Sequence, residues 1–148
     1  MSFRIRLDEP SDDAEWLRMR RALWPHDTGE AHQIEMAPWL ARDDAVVLVA
    51  ERPEGPGLAG FAEVGARLYA DGCDTSPVAY LEGWYVDRDM RRQGIGAALV
   101  RAAEAWSRER GYREFASDAL LQNIESQRAH ESLGFIEVER AVRYRKRL

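Results

Sequence analysis

The chain has 148 residues, of which 32% are charged and 45% hydrophobic, and its formal net charge is −5. This composition is that of a single globular domain, which we expect to span residues 1–148 and to bury a core without disulfides. The negative net charge argues against a general nucleic-acid surface. No apolar run approaches the roughly 20 residues of a membrane-spanning helix, so we expect no membrane partner.

Two local features indicate the compartment and limit the chemistry. Residues 1–6 lack the apolar core of a signal peptide, which predicts a cytoplasmic protein. Cys73 lies in a polar loop at residues 71–74, without a disulfide partner or neighbouring metal ligands. We therefore expect no internal disulfide, no metal site and no cysteine nucleophile.

The amino-terminal half predicts three strands. Residues 3–7 alternate apolar and basic side chains, and residues 45–51 form the continuous apolar run of a buried strand. A turn rich in proline and glycine at residues 52–57 leads into a strand at residues 58–68. The last two strands should therefore form a hairpin.

Two helices are predicted between these strands. Apolar residues at helical spacing follow a polar cap at residues 11–13, and this first helix should end at Trp24 before Pro25. Residues 30–41 predict a weaker second helix, which Pro38 should interrupt or shorten.

The carboxyl-terminal half alternates strands and helices. The predicted elements are a strand at 80–86, a helix at 94–110, a strand at 113–117, a helix at 123–133 and a final strand at 135–144. Strands in series followed by helix, strand, helix and strand predict a mixed α/β, or α+β, fold. We expect one sheet with helices on its faces. The basic stretch at 143–147 fits a solvated edge strand.

A glycine-bearing basic turn is the strongest functional signal. Residues 91–97 read Arg-Arg-Gln-Gly-Ile-Gly-Ala, follow a predicted strand and open an amphipathic helix. Free backbone N–H groups and the positive end of the helix dipole would face a pyrophosphate there. Gly94 and Gly96 would permit close approach of the main chain, although a turn that merely starts a helix explains them equally well.

Two familiar nucleotide-binding motifs do not fit this turn. A dinucleotide fingerprint needs glycine or alanine where Leu99 stands. A Walker A loop needs Gly-Lys-Ser/Thr where residues 96–98 read Gly-Ala-Ala. Rossmann-type binding and nucleoside triphosphatase activity are therefore disfavoured.

The flanking residues carry a family resemblance. Residues 91–96 resemble the R/Q-x-x-G-x-G/A pyrophosphate loop of the GNAT superfamily of N-acetyltransferases. Asn123, followed by Ala-His-Glu-Ser-Leu-Gly-Phe at residues 129–135, is similar to the second signature of that superfamily. Over nearly the whole chain, further segments are similar to the chromosomal aminoglycoside 6′-N-acetyltransferases: residues 24–25, 69–77, 81–83, 116–118 and 138–147.

This resemblance implies a fold, an activity and a partner. The fold would be a single, mostly antiparallel sheet with a splayed bulge, and the protein would be a homodimer. It would use acetyl-CoA, without a metal, to acetylate the 6′-amine of aminoglycosides by direct attack in a ternary complex, giving resistance. The residues implied to bind acetyl-CoA are Trp84, Tyr85, Val86, Arg91, Arg92, Gln93, Gly94, Ile95, Gly96, Ala97 and Asn123.

Two carboxylates are the candidates for acid–base chemistry. A polycationic acceptor needs carboxylates, and one of its amines must lose a proton before it attacks a thioester. Glu82 lies just before Gly83, where we expect a bulge unless the glycine only admits a close neighbour, and Asp118 lies just past a strand. One of the two would accept the proton, through water, while the other holds the cation. The structural alternatives are that Glu82 forms an ion pair within the sheet and that Asp118 caps its loop.

The resemblance adds Trp24, Tyr69 and Glu139 as acceptor contacts. From residue type alone, Trp24 belongs to the core, and Glu139 pairs with a nearby arginine. His130 stands where many superfamily members place a tyrosine that acts as the general acid. It therefore either protonates the leaving thiolate or serves only to pack its helix against the rest of the protein. Two other functions remain open, namely acetylation of a polyamine or another cationic metabolite, and acyl-CoA binding without turnover.

Overall fold

The computed structural model describes residues 3–148, which build one five-stranded sheet in the order β1-β2-β3-β4-β5. The strands are β1 (Ile5–Leu7), β2 (Ala45–Glu51), β3 (Leu58–Arg67), β4 (Val78–Val86) and β5 (Phe115–Ser117). Strands β1 to β4 are antiparallel, whereas β5 runs parallel to β4. The predicted mixed fold with a single, mostly antiparallel sheet is confirmed.

Helices cover both faces of this sheet. They are α1 (Asp13–Leu23), α2 (Gly29–Ala41), α3 (Ile95–Glu109) and α4 (Ile124–Ser132). One face packs on α3 through buried residues such as Leu99 and Val100, and the other packs on α1 and α2 around Trp16 and Phe61. Within residues 3–148, none of the helices has the length and apolar character needed to cross a membrane.

Strand β4 contains the bulge that Gly83 predicted. Glu63 of β3 faces Gly83, but the next residue of β3 faces Leu81, so Glu82 is an extra residue in β4. Leu81 and Trp84 consequently lie against the same α3 face although they are three positions apart. Because the pairing of β5 with β4 ends at Leu81, the bulge lies where these two strands part.

Two predictions about these elements were wrong, namely the interruption of the second helix at Pro38 and the final strand. Helix α2 runs through Pro38 without a break, because the Thr28 cap and the packing of Met36 hold it despite the missing N–H. Residues 135–144 form no strand within the described chain, and Ile136, Val142 and Tyr144 are exposed. A strand needs a partner with free backbone groups, and this segment finds none among residues 3–148.

A buried ion pair joins α1 to the sheet. Arg20 and Glu63 are each 2% exposed, and the guanidinium donates to both Glu63 carboxylate oxygens. Glu63 also accepts a hydrogen bond from the indole of Trp16 at 3.1 Å, and Arg20 donates to His32 at 3.2 Å. Burial of these charges is tolerated because each has polar partners.

We expect Glu63→Ala to lower the free energy of unfolding by about 3–5 kcal/mol, because it leaves the Arg20 charge buried without its main partner. Urea unfolding measures this loss. The control Glu104→Ala removes a surface carboxylate paired with Arg108 and should cost about 0.5 kcal/mol or less. A loss below about 1 kcal/mol for Glu63→Ala would show that Arg20 does not depend on this carboxylate.

Candidate active site

The amino end of α3 is open to an anion. Gly94, at φ +90°, precedes the first helical residue, Ile95, and no side chain caps this end or places an acidic group in its first turn. By contrast, Thr28 caps α2 and Asn123 caps α4 through side-chain oxygens. The exposed turn before α3 therefore presents unpaired N–H groups and an uncompensated helix dipole to solvent.

Glycine is favoured at positions 94 and 96 of this turn for two different physical reasons. A Cβ on Gly94 would meet nothing within 4 Å, so its positive φ is what favours glycine. A Cβ on Gly96 would lie 3.3 Å from the indole of Trp84, whose Nε1 donates to the Gly96 carbonyl at 3.1 Å. Close contact between β4 and α3 therefore requires a small residue at position 96.

Apart from Asn123, the residues predicted to bind acetyl-CoA lie at the end of β4 and in the turn that opens α3, and the side chain of Ile95 is buried there. Arg91 donates from Nε to the carbonyl of Val86 at 2.9 Å, and its guanidinium lies 5.8 Å from the ring centre of Tyr85. Arg92 adopts a φ of +64° and is exposed together with Gln93. Their roles as ligands stay predictions.

Asn123, the remaining predicted ligand of acetyl-CoA, belongs to a different part of the sequence and lies at the start of α4. Its side-chain oxygen accepts a hydrogen bond from the Ser126 backbone at 3.1 Å. That contact explains the asparagine as a helix cap, so its contribution to acetyl-CoA binding also stays a prediction.

The two candidate carboxylates belong to one cluster. Both Glu82 oxygens accept hydrogen bonds from Arg67, at 2.6 and 2.7 Å, while Asp118 accepts one from the Tyr80 hydroxyl. The Arg67 guanidinium lies 3.5 Å from the ring centre of Tyr80 and so connects the two. Burial, together with the Asp118 carboxylate, raises the pKa of Tyr80, which keeps its phenol protonated.

Trp24 lies against the bulge rather than in the centre of the core. A Cβ on Gly83 would come within 2.8 Å of the Trp24 ring, so the glycine both forms the bulge and admits this indole. The guanidinium of Arg20 lies 4.7 Å from the Trp24 ring centre, and His32 stacks on it at 6.2 Å. The indole is thus held on three sides.

Glu139 lies close enough to Tyr69, in the loop after β3, to act on it electrostatically. Tyr69 is 70% exposed and donates to Asp71 at 2.9 Å; this hydrogen bond is the main reason that the pKa of Tyr69 is raised, with Glu139 adding a smaller effect. Val138 packs directly over Gly72. The carboxyl-terminal segment therefore passes over this loop and brings Glu139 towards Tyr69.

Both ring nitrogens of His130 have hydrogen-bond partners. Its Nδ1 lies 2.7 Å from the Ser126 carbonyl and its Nε2 lies 2.8 Å from the Ser117 hydroxyl. A carbonyl only accepts, so Nδ1 carries a proton, while Nε2 shares a hydrogen bond with the Ser117 hydroxyl. The ring also packs against Trp84 and Phe135, each at 5.1 Å between ring centres.

Sequence reasoning missed three residues that contact the predicted site: Arg67, Tyr80 and Ser117. Tyr80 had a usable signal, since it lies two residues before Glu82 in the same strand. Arg67 reaches Glu82 only through the register of β3 with β4, which the sequence does not display. Ser117 reaches His130 only through the docking of α4 beside β5.

The described chain also has a concavity of about 310 Å³ near the turn between β2 and β3. Its walls include Arg6, Asp12, Glu51 and Arg52, whose charges pair with one another or with nearby side chains. No predicted site residue lines it. The concavity therefore lies apart from the residues that the sequence predicts for the site.

A split sheet beside an open helix end and a carboxylate cluster define a group-transfer enzyme for an anionic donor and a cationic acceptor. Residues 13–135 match the model of the Acetyltransferase (GNAT) family. The chain belongs to that family. The predicted family membership is thereby confirmed.

Relatives cover nearly the whole chain. It is 49% identical over 147 residues to the aminoglycoside N(6′)-acetyltransferase type 1 of Klebsiella aerogenes, covering 97% of this chain and 96% of that protein. A 6′-N-acetyltransferase structure from Acinetobacter haemolyticus is 37% identical with a TM-score of 0.90, covering 98% and 99%. AAC(6′)-Iy, solved with the bisubstrate analogue CoA-S-monomethyl-acetylneamine, is 35% identical with a TM-score of 0.91 and full coverage of both chains.

We expect His130→Gln to lower the free energy of unfolding by about 1–3 kcal/mol, because it disturbs hydrogen bonds and ring contacts that hold α4. In a thiol-release assay at pH 7, kcat should change less than threefold, because both ring nitrogens are already held by hydrogen bonds within the protein. Urea unfolding and steady-state kinetics measure the two effects. A tenfold loss of kcat with unchanged stability would instead identify His130 as the acid that protonates the thiolate.

Proposed function

We propose that this protein transfers the acetyl group of acetyl-CoA to the 6′-amine of aminoglycosides and thereby gives aminoglycoside resistance. The observation that carries the proposal is the position of the carboxylate cluster. Glu82 is the extra residue of the β4 bulge, and the open turn of α3 follows the same strand. Sites for a cation and for an anion thus lie at the two ends of one short strand segment. The named relatives support the same activity.

The donor end uses backbone groups more than side chains. Acetyl-CoA supplies a thioester whose carbonyl carbon is attacked and whose thiolate leaves. The free N–H groups at the start of α3 would hold its pyrophosphate, with Arg91 and Arg92 adding charge. Residues 84–86 lie beyond the last β4–β5 pair, so the backbone groups that they leave unpaired on that side would pair with the amides of the pantetheine arm. The Val86 carbonyl is the exception, because it accepts a hydrogen bond from Arg91.

The acceptor end uses carboxylates. An ammonium group cannot attack, so Glu82 or Asp118 would take its proton, through water, while the other carboxylate holds the charge. Trp24 would form a wall of the cleft, and Tyr69 with Glu139 would contact further parts of the acceptor. The freed amine then bonds to the acetyl carbon, and the thiolate departs without an acetyl-enzyme intermediate.

The first test is acetyl-CoA-dependent thiol release with kanamycin, tobramycin, paromomycin and spermidine. We expect release with kanamycin and tobramycin but little with paromomycin, which carries a hydroxyl where a 6′-acetylating enzyme needs an amine. Release with spermidine alone would identify a polyamine acetyltransferase. Failure with all four acceptors, while acetyl-CoA still binds, would favour a binding module.

Glu82→Gln and Asp118→Asn, assayed separately, should each lower kcat/KM by tenfold or more, equivalent to about 1.4 kcal/mol. Glu104→Gln makes the same chemical change at a half-buried position of α3, where the carboxylate pairs with Arg108, and should leave kcat/KM within twofold. Wild-type turnover in both site variants would contradict the assigned proton transfer.

We further propose that the chain is one catalytic domain that works as a homodimer in the cytoplasm, where acetyl-CoA is available. The dimer is supported by the carboxyl-terminal segment, which leaves Ile136, Val142 and Tyr144 exposed, and by β5, which has β4 as its one partner among the described strands. Sedimentation should give twice the mass of the chain. Removal of residues 136–148 should give a monomer, and an unchanged mass would refute a role for this segment.

A further inference from the structure

The carboxylate predicted as a proton acceptor already holds a cation. Arg67 donates from Nε and from a terminal nitrogen to the two oxygens of Glu82, at 2.7 and 2.6 Å. The same guanidinium lies 3.5 Å from the ring centre of Tyr80, whose hydroxyl donates to Asp118. An internal positive charge therefore sits between the two carboxylates that the proposed function assigns to a cationic acceptor.

These contacts are those that a bound ammonium group would make. A cation is attracted to the face of an aromatic ring and gains most from a carboxylate at hydrogen-bonding distance. Tyr80 and Glu82 offer this combination whether the cation belongs to Arg67 or to an acceptor. The two cations cannot occupy the same position between them.

Arg67 is free to leave this position. It is the last residue of β3, and its side chain is 43% exposed, so its guanidinium can turn towards solvent without unpacking the strand. The buried pair Arg20–Glu63 shows the opposite arrangement, because each of those side chains is 3% exposed. Exposed ion pairs are weak enough to exchange partners, whereas buried ones are not.

We propose that Arg67 fills the acceptor-cation subsite of the empty enzyme and is displaced when an ammonium group of the acceptor binds to Glu82. This inference rests on the proposed function and extends it. Arg67 keeps Glu82 neutralised and oriented while the site is empty. It also competes with every acceptor, which favours polycations that bind at several carboxylates over simple monoamines.

The test is Arg67→Gln, which removes the charge while keeping a polar side chain of similar length. We expect KM for tobramycin to fall three- to tenfold, while kcat and KM for acetyl-CoA stay within twofold. Arg67→Lys keeps the positive charge but loses the bidentate hydrogen bonding to Glu82. Its KM for tobramycin should therefore lie between those of Arg67→Gln and the wild type. A higher KM for tobramycin, or a fivefold loss of kcat, would overturn the proposal and show that Arg67 positions Glu82 for catalysis.

Arg42→Gln is the matched control. Arg42 also pairs with a carboxylate, Asp44 at 2.8 Å, and lies over an aromatic ring, Trp39 at 4.8 Å. Both variants therefore lose one positive charge from a carboxylate pair that lies over an aromatic ring, and Arg42→Gln also loses a hydrogen bond to the Ala66 carbonyl. The comparison accounts for any general attraction of a polycation to a more negative protein. Equal changes in KM for the two variants would overturn the proposal.

Calorimetric titration of tobramycin and of spermidine into the enzyme–CoA complex separates this inference from the proposed function. If tobramycin or spermidine binds Arg67→Gln more tightly than Arg42→Gln, but no aminoglycoside is turned over, the subsite is supported and the proposed activity is refuted. Normal turnover with no such difference in KM or binding would keep the activity and refute the displacement of Arg67. No binding of either cation to any of these proteins would also refute it.

Discussion

One extra residue in β4 organises the candidate site. Because side chains alternate across a strand, inserting Glu82 lets Leu81 and Trp84 share the α3 face, and it places Gly83 under the indole of Trp24. The β5 pairing ends just before this point, so the segment of β4 that follows has backbone groups free on that side. In the proposed function, the bulge separates the acceptor side of the site from the donor side.

The charges around the bulge are separated by sign. Upstream, Glu82 and Asp118 form an acidic cluster that holds Arg67 through Glu82 and the ring of Tyr80. Downstream, the turn before α3 has two arginines and an uncapped helix end with no acidic residue in its first turn. Complementarity of this kind orients two oppositely charged substrates before any reaction occurs. An overall negative protein thereby provides a local site for a polyanion.

Buried polar contacts hold the wall of this site. The pair Arg20–Glu63 lies below Trp24, and the backbone carbonyl of Trp24 also approaches His32 at 3.2 Å. Glu63 is itself the residue of β3 that faces Gly83 across the bulge. The ion pair therefore connects helix α1, the bulge and the indole of Trp24. Loss of the pair should consequently disturb the proposed acceptor side of the site as well as lower the stability of the fold.

The sequence by itself determined every local element whose cause is local. Glycine turns, caps and apolar periodicity predicted the hairpin, the α3 turn, the ends of α3 and α4, and the bulge at Gly83. Prediction from the sequence failed where the cause is not local: packing carried α2 through Pro38, and the segment at residues 135–144 found no strand partner in the described part of the chain. Only the tertiary structure decided that Arg67 pairs with Glu82 and that Ser117 engages His130. Such contacts depend on strand register and helix docking, which bring together residues far apart in the chain and leave no periodic signal in it.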